Sequence, residues 1–129
     1  MDINKLYEKK AEHLLEILKI TENLTFTDDM ESNINKFNAL FTKRKEIFAK
    51  VYSIDDEMRA MHPSEPIFDA NLKEIAKKIY EIDLTFEPRK KEFKDFLTEK
   101  IRTLKQSRKT RQKFSAYAKN DVSTFESKA

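Results

Sequence analysis

Apolar residues recur at intervals of three and four along most of this chain, as they do on one face of an amphipathic α-helix. The first row of them predicts a helix over residues 2–23. The polar stretch ENLTFTDD then interrupts the pattern, and Asp28 with Glu31 three residues later predicts the start of a second helix. The members of the first row are Ile3, Leu6, Tyr7, Leu14, Ile17, Leu18 and Leu24.

The second predicted helix, over residues 29–60, has an apolar face wide enough to contact two neighbours. Arg44 and Asp55 occupy two positions of the same apolar register. We therefore expect this helix to be the central one of a bundle. One row consists of Met30, Ile34, Phe37, Phe41, Phe48, Val51 and Met58, and a second row of Leu40, Ile47, Ile54 and Met61.

The motif MHPSEP ends the second helix, because proline lacks the N–H that a helix interior requires. A third row then predicts one helix over residues 68–117, with Pro88 inside it. The apolar register continues in phase across Pro88, which favours a kink, and a break into two helices is the alternative. The members of this row are Leu72, Ile75, Ile79, Ile82, Phe86, Phe93, Leu97, Ile101 and Leu104.

These rows predict an all-α fold, an elongated antiparallel bundle of three long helices whose last helix is kinked at or broken near Pro88. We expect a helical bundle domain of residues 1–118 and a mobile C-terminal tail of residues 119–129, where the apolar period is lost.

Composition supports the all-α prediction and excludes several kinds of site. The 129 residues include no glycine, which disfavours tight hairpins and glycine-rich phosphate loops, and no cysteine, which excludes disulfides and thiolate metal ligands. No apolar run has the length of a signal peptide core or a membrane span, so we expect a cytoplasmic protein without stable membrane insertion.

The sequence offers no convincing catalytic or metal-binding pattern. His13 and His62 lack the spacing of a metal site, and we expect both to be structural or solvated. Asp55, Asp56 and Glu57 are consecutive and therefore point around a helix, which favours a solvated face over a paired-carboxylate site. We expect no enzyme, no cofactor, no metal and no small-molecule substrate.

The charge of the chain is unevenly distributed. Residues 1–87 contain 13 basic and 18 acidic side chains, whereas residues 88–129 contain 13 and 5. The segment LKQSRKTRQKFSAY has no acidic residue, and with Phe114 and Tyr117 available to stack on bases it raises the alternative of nucleic-acid binding through residues 100–119. The cations are spread around the helix, which favours a solvated basic helix end. This basic surface comprises Lys105, Arg108, Lys109, Arg111 and Lys113.

Three segments together are similar to those of the small flagellar export chaperones of the FliT-like type. They are ALFTKRKEIFAKV in the second helix, IRTLKQSRKTRQKFSAY at the end of the third, and the terminal TFESKA. The neighbouring family of flagellin and hook-associated-protein chaperones is the second-best resemblance. The matching positions are Arg44, Glu46, Ile47, Phe48, Leu104, Arg108, Lys109, Tyr117, Phe125, Glu126 and Lys128.

The resemblance implies binding and not catalysis. Such a chaperone holds a flagellar axial protein, a filament cap or hook-associated protein, in the cytoplasm before type III export, prevents its premature assembly, and interacts with export apparatus components. A surplus apolar stripe that accepts an amphipathic helix would serve this purpose. The partner-binding candidates are Ile47, Phe48, Val51, Ile54, Phe93, Leu97 and Ile101, with Phe114, Tyr117 and Phe125 as exposed anchors.

Two further interpretations stay open at this point. The groove candidates of the second and third helices could instead form the bundle core. The wide face of the second helix could instead form a structural homo-oligomer, most simply a homodimer.

Overall fold

The computed structural model is built from four α-helices: α1 (Ile3–Glu22), α2 (Met30–Met61), α3 (Ala70–Thr85) and α4 (Glu87–Lys128). The structure describes the backbone of residues 1–128 and the side chains of residues 1–111. Within that backbone there is no strand, and the all-α prediction is confirmed.

Aspartate side chains define where the first three helices begin. Asp2, Asp29 and Asp69 each accept a hydrogen bond from a backbone N–H of the first turn, which would otherwise lack a partner. The cap of α2 is thus Asp29 and not the predicted Asp28. No described residue has a positive φ angle, as expected of a chain without glycine.

The predicted third helix is in fact two helices, which is the alternative of a break near Pro88, and the prediction of three long helices is corrected to four. α3 ends at Thr85. The carbonyl oxygen of Phe86 accepts the first hydrogen bond of α4, from the N–H of Lys90 at 2.8 Å. Pro88 causes this break, because it has no N–H to donate to the carbonyl of Leu84 and its ring would clash there. In the first turn of α4 the missing N–H does no harm.

α1, and not α2, is the central helix of the first three. The backbone of α1 packs closely against both α2 and α3, whereas no described Cα pair of α2 and α3 lies within 8 Å. The expectation that α2 is central was therefore wrong. The main core cluster contains Leu14, Ile17, Leu18, Ile47, Val51, Leu72, Ile75 and Ile79, and a smaller one contains Leu6, Ile54 and Met58.

Polar contacts from α1 also hold the loop between α2 and α3. The Tyr7 hydroxyl donates to the carbonyl oxygen of Pro66, and the Lys10 ammonium donates to that of Ile67 at 2.7 Å. Desolvation raises the pKa of Tyr7, and the charges of Glu65 and Asp69 raise it further, so the hydroxyl stays a donor.

The chain divides into two compact units, Met1–Lys90 and Lys91–Ala129. α4 continues as far as Lys128, through the segment that was predicted to be a tail from residue 119. The predicted domain of residues 1–118 and the mobility of residues 119–129 stay predictions.

A candidate partner-binding groove between α2 and α3

An open groove of about 340 Å³ lies between α2 and α3 within the unit Met1–Lys90. It exists because α2 and α3 both pack on α1 while their own backbones stay apart. Leu14 of α1, Val51 of α2 and Ile79 of α3 line it with apolar surface. The groove is therefore a depression in the surface of the core itself.

Aromatic rings form the walls of this groove. Phe48 and Tyr52 stack on one another, with ring centres 6.1 Å apart, and both line the groove from α2. Tyr80 lines it from α3, and Tyr52 and Tyr80 are each 62% exposed. Tyrosine suits such a surface, because its ring can pack against a bound partner while its hydroxyl can hydrogen-bond to water when no partner is bound.

One end of the groove is closed by an ion pair between α2 and α3. The Arg44 guanidinium donates to both carboxylate oxygens of Asp83, at 2.7 and 2.9 Å. The same guanidinium lies over the rings of Phe41 and Phe48, at 4.6 and 5.7 Å from their centres. A two-pronged pair of this kind sets the spacing of the two helices as well as holding them together.

A second ion pair joins Asp55 of α2, which lines the groove, to Lys10 of α1 at 2.7 Å. The Lys10 side chain is fully buried and has two further partners, the carbonyl oxygen of Ile67 and the face of the Phe68 ring, 3.6 Å from its centre. The expectation that Asp55 belongs to a solvated face was wrong, because Asp55 is buried while its neighbour Asp56 is exposed. A buried ammonium is tolerated only with such compensation.

The partner-binding candidates of α2 lie in different environments. Ile47 and Val51 are buried in the main core, and Ile54 is buried in the smaller one. Phe48 is half-buried and, with Val51, faces the groove. Ile47 and Ile54 therefore act as core residues in this structure, as the alternative interpretation had it, and Phe48 is the candidate with accessible surface.

The candidates of α4 differ from one another as well. Phe93 is buried, whereas Leu97 and Ile101 are 42% and 52% exposed. Of the predicted basic surface, Lys105, Arg108, Lys109 and Arg111 are exposed. Phe114, Tyr117, Phe125 and Lys113 lie beyond the described side chains, and their roles stay predictions.

The described residues contain no group of three or more histidine, cysteine, aspartate or glutamate side chains that could hold a metal ion. None of the described helices has the length and apolar character that crossing a membrane demands. Of the two histidines, the ring of His62 lies 2.8 Å from the carbonyl oxygen of Met1.

No protein-family model, curated protein or solved structure matches this chain. The resemblance to flagellar export chaperones thus depends on the short segments that carry it, and the groove has to be interpreted from its own geometry.

Sequence reasoning missed two residues that line the groove, Tyr52 and Tyr80, and it missed Lys10, which pairs with the lining residue Asp55. Lys10 lies four residues after Leu6 and four before Leu14, so a charged residue in an apolar register was the available signal. The two tyrosines gave no such signal, because they lie outside the rows that define the core.

Proposed function

We propose that this protein is a cytoplasmic chaperone that binds an amphipathic helical segment of a flagellar axial protein and keeps it from assembling before export. The observation that carries this proposal is the open apolar groove between α2 and α3, with its exposed tyrosine walls. The class of cargo, a filament cap or hook-associated protein, comes from the resemblance described above.

The groove has dimensions suited to a helix. From Arg44 to Asp55 it follows α2 for eleven residues, about 16 Å at 1.5 Å per residue, which is three helical turns. A partner helix with apolar side chains at positions i, i+3 or i+4, and i+7 presents anchors over the same length. Tyr52 and Tyr80 stand on either side of such a helix and provide aromatic contact area of the kind that dominates binding energy.

The charged residues of the groove support binding in preference to catalysis. Arg44 is paired with Asp83 and Asp55 with Lys10, so each charged side chain in the lining already has an oppositely charged partner. A general acid or base needs a group that is free to exchange a proton with a substrate. These pairs instead hold the walls of the groove in position.

The test is binding of purified filament-cap and hook-associated proteins to the full chain, measured by titration calorimetry. We expect Tyr80→Ala to weaken binding by about tenfold or more, as the loss of an interface anchor does. Tyr80 is exposed, so the helix content measured by circular dichroism should not change.

Leu15→Ala is the matched control, because Leu15 is also an exposed large side chain, at 49%, but does not line the groove. If none of the axial proteins binds the unmodified chain, the cargo assignment is wrong. If they bind and Tyr80→Ala binds as well as Leu15→Ala, the groove assignment is wrong.

A further inference from the structure

We propose that the described part of α4 is a second docking surface, and that its occupant is an acidic amphipathic helix of a partner protein. Leu97, Ile101 and Leu104 follow one another at helical spacing and are 42%, 52% and 62% exposed. They form a row of apolar side chains along a helix whose other described positions are mostly charged or polar. This surface belongs to the unit Lys91–Ala129, whereas the α2–α3 groove belongs to the unit Met1–Lys90.

The charges beside this row are of one sign. Residues 100–111 contain six basic side chains and no acidic one. Arg102 is paired with Glu99 at 3.2 Å, and Lys100 lies beside the ring of Phe96. Lys105, Arg108, Lys109 and Arg111 make no ion pair with any other described residue.

Apolar and basic side chains share one side of α4. Ile101, Lys105 and Lys109 are spaced by four residues and line a single shallow depression of about 400 Å³ along the helix. A partner helix placed there would contact the aliphatic row and, through its flanks, the ammonium groups. Charge complementarity therefore requires acidic flanks on that helix.

Three other occupants fit this surface less well. Nucleic acid would gain from aromatic side chains that stack on bases, whereas Leu97, Ile101 and Leu104 are aliphatic. A membrane surface needs a broad apolar face under the charges, whereas the row is one residue wide.

A second copy of α4 would bring like charges together. Residues 91–111 contain eight basic and three acidic side chains, a balance of +5 for each copy. Repulsion between two such helices opposes self-association, whereas an acidic helix is attracted.

The experiment measures binding of two synthetic helical peptides to the full chain by fluorescence anisotropy. Both peptides have the same leucine row, one with glutamate and the other with lysine at the flanking positions. We expect the acidic peptide to bind at least about tenfold more tightly than the basic one, with affinity that falls as salt increases.

Two double variants test the two features of the surface separately. I101A/L104A removes the apolar row, and K105E/K109E reverses the charge beside it; each should weaken binding of the acidic peptide by about tenfold or more. All four residues are exposed, so the fold should not change, which circular dichroism can check. Tyr80→Ala, in the α2–α3 groove, should bind the acidic peptide normally.

Four results would overturn the proposal. The first is equal affinity for both peptides, and the second is a loss of peptide binding in Tyr80→Ala while the α4 variants bind the peptide normally. The third is preferential binding of poly(U) RNA or phosphatidylserine vesicles. The fourth is a dimer in sedimentation that the α4 variants abolish. The first two can occur whether or not an axial protein binds the groove, so this proposal and the chaperone proposal fail separately.

Discussion

α2 and the described part of α4 have apolar residues at the same spacing but in opposite environments. In α2, Ile47 and Val51 are at most 3% exposed, whereas in α4 Ile101 and Leu104 are at least 52% exposed. Helical spacing predicts that a helix has an apolar face, and it does not predict which helix, if any, covers that face.

Charged residues differ between the two regions in the same way. In α2, Arg44 and Asp55 occupy the apolar register and are buried in ion pairs. In α4, Lys105 and Arg108 are exposed. The first kind of charge determines how helices pack, and the second kind is available to a partner.

The largest effect should come from removing a buried charge of α2. Asp55→Ala should lower the free energy of unfolding by about 4 kcal/mol, because it leaves the buried ammonium of Lys10 without its carboxylate. Urea denaturation followed by circular dichroism measures this difference.

Asp56→Ala is the control for this prediction. Asp56 is 80% exposed and lies 3.7 Å from Arg59 at the surface, so its removal should change stability by less than about 1 kcal/mol. Equal effects of the two substitutions would show that the Lys10–Asp55 pair does not stabilise the fold.

A second prediction compares the apolar residues of the two regions. Ile47→Ala should lower the free energy of unfolding by about 3 kcal/mol, because it leaves a cavity in the main core. Ile101→Ala should change it by no more than about 0.5 kcal/mol, because Ile101 is already half in contact with water. Urea denaturation measures both free energies of unfolding. A loss of stability in Ile101→Ala comparable with that in Ile47→Ala would contradict the exposure of the α4 row.

The smallest effect concerns the geometry of an ion pair. Arg44→Lys keeps the charge but loses the two parallel hydrogen bonds to Asp83, and should cost about 1.5 kcal/mol, allowing for the partial exposure of Asp83. Arg102→Lys, in the exposed pair with Glu99, should cost less than about 0.5 kcal/mol. If the two substitutions have equal effects in urea denaturation, the two-pronged contact has no special role in holding α2 to α3.

The break before α4 illustrates how far local sequence reasoning extends. Pro88 has a chemical effect that can be stated without a structure, since it removes a donor from any helix that contains it. The apolar register across Pro88 nevertheless favoured a kink. That register was misleading because Phe86 and Phe93 are both buried although the chain leaves the helix at Phe86, between the end of α3 and the start of α4.

The groove was less predictable than the helices. Phe48 and Val51 were predicted as partner-binding residues and do line it, but Tyr52 and Tyr80 were not. Their position depends on the separation of α2 from α3, and that separation depends on how both pack against α1. Residues far apart in sequence make those contacts, and the periodicity within one helix does not predict them.

The amino-acid sequence by itself determined that the chain is helical, where its first two helices lie to within a residue or two, and that its C-terminal part is basic. These properties follow from local chemistry: spacing, capping side chains, proline and charge. Only the tertiary structure decided that α1 is central, that Lys10 and Asp55 are buried together, and that the α4 row is exposed. The physical reason is that burial depends on which distant surfaces meet, and many arrangements of the same amphipathic helices satisfy the same local pattern.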